Sequence, residues 1–360
     1  MPREAPRGNL GEWSELYALG YLLVNGGAFA ADKNQNAIPE VFHKVLQVFL
    51  AERAGIPETN YIVGLQDVAI LVSGNEVARV ERSLIQSAIS AMLADLTDGT
   101  HRKTFALTTG NEVLKLLRRT RISASSSERE NDLEMVLEDQ ITQSPTTRIG
   151  FNIKSQIGGK ATLLNASGAT NIVFRVMPNN HHNRAPYPNF EYGKHSKNLQ
   201  ALYSSGYHLE FERMNSDIFQ ENLTLLDMQF PDYLAKVVLH SYLTEEKIFS
   251  KAVEGAFPSQ AATSRQPQFK LREFLGAIAM GLRPTRVWDG DTTKFSGLLV
   301  VKQNGEILFY YLYNRKNFEE HLFENVGFER PSTNRHRYGE IYSENGIDKI
   351  KLNLQIRFIN

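Results

Sequence analysis

Two short segments in the middle of the chain alternate between apolar and polar residues, and this alternation constrains the fold more than any other feature. Apolar residues occupy positions 133, 135 and 137 of the segment 132–138, and positions 149, 151 and 153 of the segment 148–154. Side chains along a β-strand point to opposite faces with a period of two. The intervening turn contains Pro145. We therefore predict a pair of half-buried strands whose apolar faces need a covering layer.

Helical and strand patterns flank this pair. The helical spacing predicts helices at 11–25, 41–50, 80–96 and 111–117, the last capped by Thr109, and across most of 215–281. Strands are predicted at 61–72, 171–177, 297–303, 306–314 and 351–358. The segment 41–50 also fits a buried strand, and helix is the preferred interpretation. The prediction is an α/β fold, with a central mixed sheet flanked by helices.

Composition excludes several classes of protein. The chain has no cysteine, which excludes disulfide scaffolds, cysteine zinc sites, iron–sulfur clusters and thiol nucleophiles. Lysine plus arginine equals aspartate plus glutamate, at 40 each, which excludes a histone-like basic binder but not a local DNA-binding groove. No stretch approaches the roughly 20 apolar residues of a membrane span, and residues 1–10 lack the apolar core of a signal peptide. We expect a soluble cytoplasmic protein.

The polar face of the central strand pair carries the candidate chemistry. Asn152 and Lys154 point away from the apolar face, and Asp132 begins the preceding strand. A hairpin of this length brings an acid, an amide oxygen and an ammonium to one space. Phosphodiester hydrolysis uses such groups, as oxygen ligands for Mg²⁺ and a cation near the attacking water. The alternative is a surface hairpin with a polar outer face, which the spacing alone favours.

Six segments of the chain favour the catalytic interpretation over the surface hairpin, because together they resemble a known enzyme family. They read ASSSERENDLE (124–134), GFNIKSQIG (150–158), ATLLNASGATN (161–171), GEWSELY (11–17), ERPSTNRHRY (329–338) and KLNLQIRF (351–358). They resemble type II restriction endonucleases of the HpaII type, in the PD-(D/E)XK nuclease superfamily. The resemblance implies a nuclease core at 10–215 and a C-terminal DNA-recognition part at 216–360.

The resemblance also implies roles for the polar residues. Asp132 would bind Mg²⁺, and Asn152 and Lys154 would stand where the family pattern has an acid and a lysine. Since Asn152 is neutral, a further carboxylate is expected to help. Glu15 is the first choice and Glu12 the alternative, because residues three apart share a helix face. Glu134, on the same strand face as Asp132, is a third option. For Glu12 and Glu15 the other interpretation is a favourable charge in the first turn of a helix.

DNA recognition is expected from a polar C-terminal loop. Arginine bonded to guanine is the commonest specific base contact. The expected DNA-binding residues are Arg330, Ser332, Thr333, Arg335, His336 and Arg337, with Arg184 in a second loop at 179–197 and Gln156 after the catalytic strand. The resemblance implies a duplex DNA substrate, a short palindromic site such as CCGG and a homodimer, with no small-molecule cofactor. The competing hypotheses are a DNA-binding protein that has lost catalysis, which the neutral Asn152 favours, and a repair or defence nuclease of the same fold.

Overall fold

The computed structural model describes residues 5–50, 57–99, 103–122, 131–180, 185–290, 295–311 and 315–359. The helices in these ranges are α1 (Leu10–Asn25), α2 (Arg82–Thr97), α3 (Thr108–Leu116), α4 (His195–Ser204), α5 (Asp217–Thr224), α6 (Phe230–Thr244), α7 (Phe249–Ala256), α8 (Arg265–Ala279), α9 (Arg315–Asn325) and α10 (Thr333–His336). The strands are β1 (Arg7–Gly8), β2 (Gly27–Ala31), β3 (Ala37–Leu50), β4 (Thr59–Val63), β5 (Asp67–Val72), β6 (Asn75–Glu81), β7 (Phe105–Ala106), β8 (Leu133–Leu137), β9 (Ile149–Ser155), β10 (Thr162–Leu164), β11 (Asn171–Pro178), β12 (Tyr207–Met214), β13 (Phe295–Val301), β14 (Ile307–Tyr311), β15 (Val326–Phe328), β16 (Ile341–Glu344), β17 (Ile347–Asn353) and β18 (Ile356–Phe358).

The chain divides into two units. The first comprises residues 1–161 and 292–318, and the second comprises 162–291 and 319–360. The boundary expected near residue 215 therefore falls inside the second unit, between β12 and α5. No helix in the described part of the chain is long and apolar enough to span a membrane.

A nine-stranded mixed sheet forms the frame of the first unit. Its strand order is β2-β14-β13-β9-β8-β3-β4-β5-β6. The predicted central pair is confirmed: β8 and β9 are antiparallel, with Leu133 opposite Phe151 and Met135 opposite Ile149. On its other side β9 runs parallel to β13. The mixed α/β sheet predicted from the sequence is therefore present, and β9 lies near its middle.

Six strands of this sheet close into a ring. The first half of β3 pairs with β2, which also pairs with β14, while the second half of β3 pairs with β8 and β4. A register shift between Phe29 and Ala30 interrupts the β2–β3 pairing. Because β3 has partners along its whole length, it joins the two ends of the six-strand set β2-β14-β13-β9-β8-β3.

Helix α1 lies against β9, α2 and α3, and most of its residues between Trp13 and Leu23 are buried. Trp13 and Leu16 belong to the same buried cluster as Phe151 and Ile153 of β9. The helix ends at Gly26, whose φ of 67° is a conformation that glycine adopts without strain. Helices thus cover the apolar face of the β8–β9 hairpin, as the alternation of apolar and polar residues in these strands requires.

The second unit has two smaller sheets. One has the order β12-β11-β17-β16 and the other the order β10-β18-β15. Helices α4 and α6 contact each other and β12, and α7 contacts β15. The predicted final strand 351–358 is divided, since β17 lies in the first of these sheets and β18 in the second.

Some sequence predictions are wrong. The segment 41–50 is strand, not helix, because its valine and phenylalanine side chains pack on both faces of β3 between neighbouring strands. The predicted strand 61–72 is a hairpin, β4 and β5, with a turn at Gly64. Thr109 does not cap α3: Leu107 is the cap residue, and the Thr109 hydroxyl donates to Asp95.

Candidate active site

The carboxylate of Asp132 is fixed at the start of β8. Its Oδ2 accepts the backbone N–H of Ile153 at 2.7 Å, and its own N–H donates to the carbonyl of Phe151 at 3.1 Å. Since Ile153 stands between Asn152 and Lys154, these bonds hold the acid against the stretch of β9 that carries both. The loop before β8 therefore places Asp132 beside the part of β9 that contains Asn152 and Lys154.

Asn152 and Lys154 lie on the face of β9 opposite Phe151 and Ile153. Asn152 is 3% exposed, and Lys154 is half-buried. The neighbouring strand β13 places Leu298 beside Asn152 and Val300 beside Lys154.

Gly150 makes room for the residue that precedes the acid. A Cβ built on Gly150 would lie 2.0 Å from Nδ2 of Asn131, so only glycine fits there without displacing Asn131. Nothing in the sequence pattern indicated this close approach, because it depends on how the loop before β8 meets β9.

The two α1 glutamates are in different situations. Glu12 belongs to a capping box, in which its Oε2 accepts the N–H of Asn9 at 2.7 Å and its own N–H donates to the Asn9 side chain at 3.0 Å. Its carboxylate therefore stabilises the start of α1. Glu15 lies one turn further along and is half-buried. Because the Glu12 carboxylate takes part in the capping box, Glu15 is the better candidate of the two for a role at the site.

Glu134, the third option, is part of an ion-pair network. Its carboxylate pairs with Arg148, which also bonds Glu58 at 2.9 Å and lies 4.2 Å above the centroid of the Phe49 ring. A carboxylate with a paired guanidinium has less charge to offer a metal ion. This network favours a structural role for Glu134.

Gln156 is buried at the end of β9. Its side-chain amide donates to Oε1 of Gln35 at 2.8 Å, and its backbone N–H donates to Val301 of β13 at 2.8 Å. Contact between this side chain and a DNA phosphate would require the bond to Gln35 to break.

The oxygen donors at Asp132 and Asn152 suit a hard divalent cation. Among the described residues there is no group of three or more histidines and carboxylates that could hold a metal ion. Mg²⁺, however, is commonly held by one or two carboxylates, with water and phosphate oxygens completing its octahedron. The Asp132 carboxylate and the Asn152 amide oxygen, together with oxygens of a DNA phosphate, would match this coordination preference.

The C-terminal basic segment, residues 330–337, is anchored by its first arginine. The Arg330 guanidinium lies 3.7 Å above the centroid of the Tyr242 ring and donates to the Ser241 hydroxyl at 2.8 Å. Burial lowers the pKa of Arg330. As folded, this arginine holds the segment in place and does not extend toward solvent.

Thr333 is the second anchor of the segment. It is 8% exposed, and its hydroxyl lies 3.0 Å from Nε2 of His195. The His195 ring stacks on Tyr338 with centroids 4.7 Å apart. Burial, and then the charge of Arg330, lowers the pKa of His195. This cluster could not be predicted from the sequence, because His195 lies 138 residues before Thr333 in the chain.

The remaining residues of the segment are available to a ligand. Ser332, Asn334, Arg335 and Arg337 are exposed, and His336 is half-exposed. Arg184, in the second expected loop, lies outside the described residues. Of the three arginines in this segment that were expected to contact DNA, Arg330 is an internal anchor, and Arg335 and Arg337 are exposed.

Comparisons with known proteins agree on one family. A family model described as HpaII restriction endonuclease matches residues 9–358. The type II restriction enzyme HpaII of Haemophilus parainfluenzae is 35% identical over 359 residues, which cover 98% of this chain and 98% of that protein. No solved structure matches the chain.

Proposed function

Because the chain belongs to the HpaII restriction endonuclease family, and is thereby a site-specific deoxyribonuclease, we propose that it cuts duplex DNA at CCGG using Mg²⁺. The catalytic residues in this proposal are Asp132, Asn152 and Lys154, with Glu15 in support. The products are fragments with 5′-phosphate ends, made within a restriction–modification system. The proposed place of action is the cytoplasm, where incoming DNA is met.

The bond between Asp132 and the backbone of Ile153 carries this proposal. It holds a carboxylate oxygen against the stretch of β9 that carries Asn152 and Lys154. Bound there, Mg²⁺ would supply a water of lowered pKa and neutralise charge on the phosphate. Asp132 and Asn152 would hold that ion through their carboxylate and amide oxygen atoms.

Lys154 would act on the water and the phosphate. Its ammonium would lie on the strand face that bears Asn152, where it can orient the attacking water and stabilise the charge that develops on the scissile phosphate. Glu15 would add the negative charge that Asn152 lacks. The Glu12 carboxylate is already used in the helix cap, which supports this choice.

Sequence reading is assigned to the exposed part of the C-terminal basic segment. Arg335 is the proposed base-reading side chain, since arginine pairs with guanine in the major groove, and the exposed Asn334 lies next to it. Because a palindrome is two-fold symmetric, two copies of the chain would present one candidate site to each strand, and we propose a homodimer.

The experiment is a digest of unmethylated plasmid DNA by the purified chain, with Mg²⁺ and with EDTA. We expect discrete Mg²⁺-dependent fragments, whose sequenced ends give the site and the cut position. Fragments that end at another sequence would refute CCGG. Degradation that follows DNA structure instead of sequence would favour the repair or defence hypothesis.

One observation keeps a second function open. The neutral Asn152 occupies the position where the superfamily pattern has an acid, which favours a sequence-specific DNA-binding protein without catalysis. Duplex binding without cleavage under any divalent metal would establish that alternative.

A further inference from the structure

A pocket of about 500 Å³ lies beside the short helix α10 in the second unit. Asn334 and Arg337 line it from the C-terminal basic segment, and Tyr342 and Lys351 line it from β16 and β17. The pocket is therefore formed partly by the segment expected to bind DNA and partly by strands in which no DNA-binding residue was predicted from the sequence.

Two lysines on the same face of β17 differ in their partners. Lys349 is 5% exposed and bonds both Glu212 and Glu344 at 2.7 Å. Lys351, two residues further, makes no ion pair within the described residues, and its ammonium lies 5.2 Å from the centroid of the Tyr342 ring. The sheet thus neutralises one lysine and presents the other to the pocket.

The other groups in the pocket are also suited to an anion. Arg337 is exposed and takes part in no ion pair among the described residues. The hydroxyl of Tyr342 is buried and has no hydrogen-bond partner in the described part of the chain. Glu340 contributes the one carboxylate of the lining, against two cations. A buried hydroxyl that lacks a partner is a donor for a ligand oxygen.

We propose that this pocket binds a backbone phosphate of the DNA, with Lys351 and Arg337 as its cations and the Tyr342 hydroxyl as a hydrogen-bond donor. The inference rests on the proposed function and adds residues to it. A phosphodiester has one negative charge and two free oxygens, which matches two cations and a hydroxyl better than a base edge does. The bound phosphate would fix the position of α10, so that Asn334 and Arg335 meet the bases.

Binding measurements in EDTA test this site without cleavage. The full-length chain, with and without Lys351→Met, is titrated with a duplex that contains CCGG and with one that lacks it, at several KCl concentrations. A phosphate contact predicts several-fold weaker binding to both duplexes and a salt slope smaller by about 0.9. Lys251→Met, at an exposed position of α7, is the matched control and should leave the slope unchanged.

Two further variants test whether the effect of Lys351→Met comes from misfolding or from a lost contact with a base. Lys351→Arg should restore the slope, because it restores the cation. Glu340→Gln should tighten binding to both duplexes, because it removes the opposing charge.

A Lys351→Met protein with the wild-type slope would overturn the pocket assignment, as would a Glu340→Gln change confined to the CCGG duplex. If the wild type still cuts DNA in the digest, only the pocket assignment fails. If the wild type neither binds nor cuts DNA, the proposed function fails with it.

Discussion

The backbone N–H of Ile153 donates to the carboxylate of Asp132 at 2.7 Å. This main-chain bond holds the carboxylate of the proposed metal-binding acid against the strand that bears Asn152 and Lys154. An amide in place of the acid can still accept that bond. The charge of Asp132 can therefore be removed while its position is kept, which allows its catalytic and structural roles to be separated.

Asp132→Asn should reduce the cleavage rate on the order of 10³-fold, since several kcal/mol of charge stabilisation depend on a bound metal. The rate is measured on a plasmid with CCGG sites, and duplex binding is measured in parallel. Glu40→Gln, at an exposed position of β3, is the control and should cut normally. An Asp132→Asn protein that cuts at the wild-type rate would remove Asp132 from the mechanism.

Glu15 and Glu12 should respond in opposite ways. Glu15→Gln should lower the cleavage rate per folded molecule. Glu12→Ala removes one side of the capping box and should cost about 0.5–2 kcal/mol of unfolding free energy, while the rate per folded molecule stays the same. Urea unfolding and single-turnover cleavage measure the two effects. Equal losses of rate in both variants would contradict the assignment of Glu15.

Asn152→Asp should lower the Mg²⁺ concentration that gives half-maximal cleavage, because it adds a charge to the donor set. The measurement is the initial cleavage rate across a Mg²⁺ titration. Asn152→Ala, which removes the oxygen, should shift the midpoint in the other direction. A midpoint that is the same in all three proteins would show that residue 152 does not hold the metal.

Substitutions of Arg330 and Arg335 should have different effects, one on stability and the other on DNA recognition. Arg330→Ala removes the contact with the Tyr242 ring and the bond to Ser241, and should lower the unfolding free energy by about 2–3 kcal/mol. Arg335→Ala should leave stability unchanged and reduce discrimination for CCGG by about 1–3 kcal/mol. Urea titration and competition binding test the pair. Normal stability in Arg330→Ala would contradict its role as an anchor.

His43 should make the fold sensitive to acid. Burial among Phe309 and Tyr311 lowers the pKa of His43 from 6.5 to about 4. The unfolded chain therefore binds more protons between these values, and stability falls as the pH drops from about 6.5 to about 4. The loss is on the order of 3 kcal/mol. In His43→Phe, the unfolding free energy measured with urea should depend less on pH over this range. A pH dependence equal to that of the wild type would show that burial of His43 is not the cause.

The central hairpin could be predicted because its signal is local. Alternation within 132–138 and 148–154 defines both strands, and the residue spacing alone brings Asp132 toward Asn152 and Lys154. The prediction for β3 failed because a strand with partners along its whole length has apolar residues on both faces, as a buried helix has. The role of Arg330 could not be predicted, since its burial depends on Tyr242 and Ser241, which are distant in the sequence.

The parallel pairing of β9 with β13 sets the order in which the enzyme can be built on the ribosome. Phe151 pairs with Gly297, and the whole segment 162–291 of the second unit is synthesised between them. Such non-local pairing is slow, and it waits for most of the chain to emerge. The strand that carries Asn152 and Lys154 thus lacks its β13 neighbour in every nascent chain that stops before residue 295. A cell that makes this nuclease is accordingly exposed to the complete nine-stranded sheet, and to the proposed site on it, only after translation is nearly finished.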